Sequence, residues 1–244
     1  MGGILSAGVP PPRRPLTPSH DGIGLWYENV LGWPTVPGTP VRLAVGVLFD
    51  VLDVPAEAGY ATLEHLEHLG RRGPLEPSGP PGGLGPPEHR ERFGQGFPVA
   101  LSGGRMRLLV APGSAEELPG LLEWLDWGAS LELDLRAIGS GGLLEAPCPV
   151  PACSVAAPGA VSGALCSSQG AAVWLRPPEP GLEAEASLPT LSAMGTRGVR
   201  GDGAGPPDLV RLVNTVATHI HRVRLRRARA AAAVRTDGQP LAFS

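Results

Sequence analysis

The segment LAVGVLFDVLDV (Leu43–Val54) is almost wholly apolar and rich in valine and leucine. A continuous run of this kind is typical of a strand that is buried on both faces. Pro55 ends the run, and Glu57–Leu69 follows with leucines that share one helical face. Gly70 is a residue type that commonly stops a helix. We therefore expect one buried strand that leads directly into a helix.

Strand and helix patterns alternate downstream of this segment. Val99–Ser102 and Arg105–Ala111 predict two strands around a Gly103–Gly104 turn. Ala115–Trp124 predicts a helix with glutamates in its first turn, where the helix dipole favours negative charge. Leu131–Arg136 alternates apolar and charged residues with the period of two that marks a half-buried strand.

Two further short strands complete the pattern. The glycines at 141 and 142 predict a turn into Leu143–Ala146, which would form a hairpin with the alternating segment before it. Ala171–Leu175 predicts a last strand. This interleaving of strands and helices indicates an α+β (α/β-like) domain, with a mixed or antiparallel sheet flanked by helices.

Segments rich in glycine and proline separate these patterns. The 35 Gly and 29 Pro among 244 residues exceed ordinary usage. We expect a disordered Pro-rich N-terminus at 1–21, a domain at 22–176 with a flexible insertion at 71–97, and a linker at 177–206. The sequence contains neither an apolar run of about 18 residues nor a signal-peptide pattern at its start. These features predict a cytoplasmic protein without a membrane span.

Three cysteines, Cys148, Cys153 and Cys166, give an odd count without a secretion signal. We interpret them as ordinary reduced thiols. A zinc site that uses Cys148 and Cys153 is a weaker alternative, because no further ligand pair stands at a useful spacing.

The clearest helical pattern covers residues 207–235. Its apolar positions form one stripe, which consists of Leu209, Leu212, Val213, Val216, Ile220 and Val223. The region carries seven arginines and one aspartate, so the rest of the chain has a formal charge of −9 within a total of −3. Such a basic amphipathic helix can bind nucleic-acid phosphates, bind an acidic partner, or dock on the chain's own acidic surface. A solvated charged face is the simplest alternative.

Three aspartates are candidate ligands for a divalent metal. Asp50 and Asp53 close the first apolar run, and Asp134 lies in the alternating segment. Carboxylates at strand ends hold the metals of phosphoryl-transfer sites. Asp50 and Asp53 are three residues apart, however, so on a continuous strand they point to opposite faces. An aspartate that caps the following helix is the simpler interpretation. The glycine turn at 102–105 either approaches phosphates through its backbone or is a plain hairpin.

Four segments occur in the order found in the bifunctional DNA primase/polymerase (prim-pol) N-terminal domain family, of the archaeo-eukaryotic primase superfamily. Gly32–Pro40 resembles its G-W-P-V-x-P opening, and Phe49–Leu66 is similar to D-x-D-x-P…G-x-x-T-L-x-x-L. Ser102–Val110 resembles S-G-G-x-H-x-y-F, and Leu133–Pro147 resembles v-D-v-R-x-x-G-G-y-v-v-a-P. The resemblance runs from about residue 24 to 150.

The resemblance implies a prim-pol-type fold, and Mg²⁺ or Mn²⁺ as the cofactor of an active member. In the family the first motif supplies two metal-binding aspartates, the second a histidine that contacts the nucleotide, and the third a further aspartate. Asp53 and Asp134 match metal ligands, whereas Val51 stands two residues before Asp53. Met106 stands at the histidine position, and a thioether cannot donate a hydrogen bond to a triphosphate.

We therefore expect a divergent, catalytically impaired primase/polymerase-like domain with a role in DNA replication. The expected nucleotide contacts are Ser102, Gly103, Gly104, Arg105 and Arg136, and the expected DNA or RNA contacts are Arg222, Arg224, Arg226, Arg227 and Arg229. An active metal-dependent nucleotidyltransferase that uses Asp50, Asp53 and Asp134 as catalytic residues is the first alternative. The second alternative is a non-catalytic scaffold whose helix at 207–235 packs on a protein partner or on a second copy of the chain.

Overall fold

The computed structural model describes residues 22–70, 96–128, 132–149, 172–179, 187–191 and 208–237. The predicted disordered N-terminus lies outside the described residues, as do nearly all of the predicted insertion and most of the predicted linker.

Helices and strands alternate along the described chain. The helices are α1 (Gly22–Trp26, continued by a π-helical turn at Tyr27–Leu31), α2 (Ala56–Gly70), α3 (Ser114–Trp124) and α4 (Leu209–Asp237). The strands are β1 (Thr35–Val36), β2 (Arg42–Ala44), β3 (Asp50–Pro55), β4 (Val99–Ser102), β5 (Arg105–Val110), β6 (Arg136–Ile138), β7 (Leu143–Glu145) and β8 (Val173–Arg176). They form two antiparallel sheets, ordered β1-β2-β7 and β6-β3-β5-β4-β8. The predicted α+β class with antiparallel sheets and helices is confirmed.

Helices α2, α3 and α4 cover one face of the five-stranded sheet. Side chains of β3 and β5 on this face, such as Leu52 and Leu108, pack with Leu212 and Val216 of α4 in one buried cluster. Helix α2 crosses β5 so closely that Gly59 has no space for a Cβ, because Met106 fills it. This glycine therefore sets the distance between the helix and the sheet.

The opposite face of the same sheet packs partly against the three-stranded sheet and α1. Trp33 of the Gly32–Pro40 segment lies in this second core beside Phe49 and Leu144. Tyr27 is fully buried there, donates to the Pro147 carbonyl oxygen at 2.7 Å and accepts from Trp174 Nε1 at 2.8 Å. Burial raises the pKa of Tyr27 well above its usual value, so the hydroxyl keeps its proton.

The apolar run at 43–54 forms two strands in different sheets, so the prediction of one strand is wrong. Gly46, at a φ of 89°, turns the chain between β2 and β3, and its N–H donates to the Phe49 carbonyl at 2.8 Å. A positive φ is readily adopted by glycine and interrupts a strand.

Two other strand predictions also need correction. The alternating segment is not a strand over its described residues 132–135, because β6 begins only at Arg136. Leu143–Glu145 pairs with β2 instead of β6, so the predicted hairpin does not form. The turn at 141 and 142 instead carries the chain from one sheet to the other.

The remaining predicted elements are confirmed with small shifts of their ends: the helices α2, α3 and α4, the hairpin of β4 and β5, and strand β8. Part of the predicted linker also packs on the domain. Leu188 is buried, and the Thr190 carbonyl accepts a hydrogen bond from Leu209 N, at the start of α4, at 3.0 Å. Cys148 is disulfide-bonded, which contradicts its interpretation as a reduced thiol. Cys153 and Cys166 lie outside the described residues.

The predicted apolar stripe of α4 is confirmed, and it is buried inside the domain. All six of its residues are at most 3% exposed. They pack against α2, α3 and the sheet. The stripe is therefore not available to a protein partner or a second copy, and the surface that α4 presents to such a partner is its charged side.

Candidate functional site

Asp50 and Asp53 lie on opposite faces of the five-stranded sheet, as their spacing predicts. Leu52 and Val54 point into the core formed with the helices, while Val51 belongs to the core on the other face. Because side chains alternate along a strand, Asp50 is on the helix side and Asp53 is on the side away from the helices. The three predicted catalytic aspartates therefore do not meet in one place.

Asp50 caps a helix that is distant in sequence. Its fully buried carboxylate accepts a 2.9 Å hydrogen bond through Oδ2 from the backbone N–H of Ala115, in the first turn of α3. Burial raises the pKa of Asp50, against the effect of the hydrogen bonds from the backbone at 113–115. Asp50 is therefore a helix cap, as the simpler interpretation of the sequence expects. The helix that it caps is α3, however, and not α2, which directly follows β3.

Asp53 and Asp134 are brought together by Arg105. Arg105 Nε donates to Asp53 Oδ1 at 2.9 Å, and Nη1 donates to Asp134 Oδ1 at 2.6 Å. Nη2 donates to the backbone oxygen of Asp53 at 2.9 Å. Burial alone would lower the pKa of Arg105, but the hydrogen bonds and charges of Asp134 and Asp53 outweigh it and raise that pKa. The guanidinium therefore remains charged, and it bridges the two carboxylates.

Two more arginines flank Asp53 on the neighbouring strands. Asp53 is paired directly with Arg107 on β5 and with Arg136 on β6. Directly opposite side chains of an antiparallel pair share a face, with Cβ atoms about 5 Å apart. We call Asp53, Arg105, Arg107, Asp134 and Arg136 the open-face cluster.

Arg107 is the member of the cluster that sequence reasoning missed. Its Nε and Nη1 atoms are buried and have no hydrogen-bond partner among the described residues. The alternation of β5 could have identified it, because residues 105 and 107 must share a face. The pairing with Asp53 itself required the strand order.

Met106 does not face Asp53. Its side chain points to the opposite side of the sheet and packs on Gly59 of α2. The residues of this strand beside Asp53 are Arg107, directly opposite it, and Arg105, whose side chain binds its carboxylate. The position matched to the histidine of the prim-pol motif is therefore a core position in this chain.

The turn at Gly103 and Gly104 closes the hairpin of β4 and β5, and it positions Arg105 as the first residue of β5. Gly103 and Gly104 have φ values of 57° and 78°, and both are exposed. Positive φ at both central residues is the requirement of the tight two-residue hairpin turn. Ser102 and Arg105 pair across the turn, and the Gly104 carbonyl accepts from Ala56 N at 3.0 Å. The turn thereby fixes the start of β5 against the start of α2.

A divalent metal does not fit the open-face cluster. The described residues contain no group of three His, Cys, Asp or Glu side chains that could hold a metal ion. Asp53 and Asp134 already bind the guanidinium of Arg105, and Asp50 lies on the other face of the sheet. The arrangement thus provides two carboxylates that are bridged by one guanidinium, together with two further arginines.

Three of the five predicted nucleic-acid contacts on α4 pair with the chain's own glutamates. Arg226 and Arg227 contact Glu57 at 3.6 and 3.3 Å, and Arg224 lies 4.0 Å from Glu132. Self-docking, one of the alternatives from the sequence, therefore occurs for this part of the helix. These pairs are exposed, and such pairs are worth about 0–1 kcal/mol, so they can exchange for other anions.

Arg222 and Arg229 are exposed and make no ion pair with the residues that the structure describes. Arg222 and Arg229 lie about two helical turns apart, and Arg211 lies about three turns before Arg222 in the chain. The three arginines therefore share one side of α4. This outer side of α4 (Arg211, Arg222, Arg229) is a line of positive charge about 27 Å long at a rise of about 1.5 Å per residue.

The end of α3 lies beside α4. Trp127 Nε1 donates to Asn214 Oδ1 at 2.9 Å, and the Trp127 ring lies 6.0 Å from His221. Trp124, in the last turn of α3, is 66% exposed. Trp127 therefore joins the end of α3 to α4, while Trp124 is an exposed indole in the last turn of α3.

Comparison of the chain with protein-family models, curated proteins and solved structures gives no significant match. Of the helices within the described ranges, none combines the length and the apolar character needed to cross a membrane.

Proposed function

We propose that the chain is a non-catalytic, prim-pol-like domain that binds nucleic acid or nucleotide through arginines. The observation that carries the proposal is the bridge from Arg105 to both Asp53 and Asp134. These are the two residues that the resemblance assigns to metal binding. A guanidinium between them offsets one of their two negative charges without offering the open coordination positions that metal-assisted nucleotidyl transfer needs.

The open-face cluster supports nucleotide binding in place of catalysis. Arg107 and Arg136 stand on either side of Asp53, which is already paired with Arg105. Guanidinium groups bind phosphate through forked, charge-assisted hydrogen bonds. In this proposal Arg136 and the turn at 102–105 contact the phosphates of a nucleotide, and no phosphoryl transfer follows.

The outer side of α4 supports binding of a nucleic-acid strand. Arg222 and Arg229 are exposed, and burial of the apolar stripe fixes the direction in which they point. Basic side chains gain affinity for DNA and RNA by releasing counterions from phosphates. Exposed aromatic rings such as Trp124 add base stacking to single strands, worth about 1–3 kcal/mol per base.

Point substitutions test this proposal better than deletion of α4, because deletion would expose its buried stripe. The test is the anisotropy of labelled single-stranded DNA with Arg222→Gln, and with Arg42→Gln as the matched control. Arg42 is an exposed arginine on β2, so both variants lose one charge. We expect Arg222→Gln to weaken binding and to lower the salt slope by about 1, as for one lost phosphate contact. Equal effects of the two substitutions would show that only the net charge matters.

A nucleotidyl-transfer assay in Mn²⁺ separates this proposal from the enzyme alternative. Primer synthesis or extension by the wild-type chain, lost in Asp134→Asn, would establish the metal-dependent enzyme and reject the non-catalytic reading. An acidic protein partner is the competing occupant of the outer side of α4. Binding to such a partner with no affinity for DNA or RNA at low salt would support the scaffold instead.

The cytoplasm is the compartment we propose, because nucleotides and nucleic acid are available there. Disulfides are rare in cytosolic proteins, so the disulfide of Cys148 counts against this compartment, and the redox state of Cys148 in the cell is the direct test. Alkylation of the protein before lysis would label Cys148 if the compartment is reducing. Persistent protection of Cys148 that only a reductant removes would favour an oxidising compartment.

A further inference from the structure

Three oxygen atoms converge on the guanidinium of Arg105. They are the Oδ1 and backbone oxygens of Asp53, both at 2.9 Å, and Asp134 Oδ1, at 2.6 Å. Each of the three guanidinium nitrogens is engaged by one of them. Carboxylate and backbone carbonyl oxygens are also the ligands that proteins use for hard divalent cations. These three oxygen atoms therefore have the chemistry of a cation site, and the cation that they bind is a side chain of the same protein.

The net charge of the open-face cluster suits Arg105 between the two carboxylates and disfavours a divalent cation there. Two carboxylates that share a site repel one another unless a cation lies between them. Arg105 supplies that charge, while Arg107 and Arg136 face Asp53 from both neighbouring strands. The cluster of three arginines and two aspartates has a formal charge of +1. A dication that approached it would meet net positive charge as well as ligands that are already engaged.

The backbone fixes Arg105 in this position. The turn at Gly103 and Gly104 makes Arg105 the first residue of β5, directly opposite Pro55 on β3. From there the side chain reaches two residues back along β3 to Asp53 on the same face. A cation that is attached to a tight hairpin is already in place when the sheet forms, whereas a metal ion must be captured from solution.

We infer that Arg105 is a built-in replacement for a divalent cation, and that removing its side chain converts Asp53 and Asp134 into a site that binds Mn²⁺. The inference rests on the non-catalytic part of the proposed function, but it is independent of nucleic-acid binding. Without Arg105 the remaining four side chains have no net formal charge. Asp134 is half exposed, so its carboxylate can move toward Asp53 and share an ion with it.

The experiment is a titration of Mn²⁺, with the free ion followed by electron paramagnetic resonance. It compares the wild-type chain, Arg105→Ala and the matched control Arg136→Ala. The control removes the same charge from the same face and leaves the Arg105 bridge intact. We expect Arg105→Ala to bind Mn²⁺ at least about tenfold more tightly than the other two proteins, a difference of about 1.4 kcal/mol. Asp134→Asn in the Arg105→Ala background should abolish this gain.

Circular dichroism establishes that each variant is folded, and Arg105→Gln replaces Arg105→Ala if the alanine variant is not. Equal Mn²⁺ binding by all folded variants would overturn the inference. So would Mn²⁺ binding by the wild-type chain that Asp134→Asn removes. A gain of Mn²⁺ binding in Arg105→Ala, together with no affinity of the wild-type chain for DNA or RNA, would reject the proposed binding function and leave this inference standing.

Discussion

The carboxylate of Asp50 accepts a hydrogen bond from the backbone N–H of Ala115, which lies 65 residues further along the chain. The contact joins the first residue of β3 to the first turn of α3, and it supplies a cap that the sequence around α3 lacks. Gly113, the residue before the helix, has no side chain that could do so.

Asp50→Ala should lower the free energy of unfolding, because it leaves backbone N–H groups of α3 without their acceptor. The expected loss is about 1–2 kcal/mol, the usual effect of removing a helix cap. Asp50→Asn is the control, because its amide oxygen can still accept the hydrogen bond. Urea denaturation measures both, and an alanine variant as stable as the asparagine variant would contradict the capping role.

Gly59→Ala should destabilise the domain, because the added Cβ collides with Met106 where α2 crosses β5. Overpacking of this kind typically costs about 1–3 kcal/mol. Gly120→Ala in α3 is the matched control, since its Cβ would meet nothing within 4 Å. Alanine is a better helix former than glycine, so the control should gain about 0.5–1 kcal/mol. Thermal unfolding should therefore show a lower melting temperature for Gly59→Ala and a higher one for Gly120→Ala than for the wild-type chain. Stabilisation by Gly59→Ala would show that the helix does not contact the strand there.

His219 should make the domain less stable below about pH 6.5. Burial lowers the pKa of His219, and the charges of Arg222, His65 and Arg226 lower it further against the opposing effect of Glu64. The unfolded chain therefore takes up a proton near the usual value of 6.5 while the folded chain does not, so stability falls as the pH drops through that range.

His219→Gln removes this titration, so its stability should fall less between about pH 7.5 and 5.5 than that of the wild-type chain. His68→Gln, which removes a histidine from an exposed position of α2, is the matched control. Urea midpoints at several pH values measure the effect. Parallel plots of urea midpoint against pH for the wild-type chain and His219→Gln would show that His219 does not cause the loss of stability at low pH.

Local patterns were sufficient for the elements whose ends coincide with turn or cap residues. Helix α2 begins after Pro55, and the hairpin of β4 and β5 turns at two adjacent glycines. The run at 43–54 was misread because apolar composition does not reveal which sheet a residue joins. The change of sheet depends on the backbone of Gly46 and on pairing with strands far along the chain.

The candidate site could be predicted only in part. The sequence identified Asp53, Asp134 and Arg105 as separate candidates, and the spacing of Asp50 indicated the opposite face. The bridge by Arg105 could not be predicted, because it depends on the register of β3 with β5 and on a loop residue just before β6. Arg107 was missed because its partner position is 54 residues away in sequence, at Asp53.

The most direct test of metal-independent nucleic-acid binding is the anisotropy titration of single-stranded DNA with the wild-type chain, with and without Mn²⁺, across a salt series. We expect binding that weakens steeply with salt, because arginines on α4 contact phosphates. We also expect that Mn²⁺ brings no gain in affinity, because Arg105 occupies the place between Asp53 and Asp134. Binding that appears only with Mn²⁺, or no binding at low salt, would contradict the proposed binding.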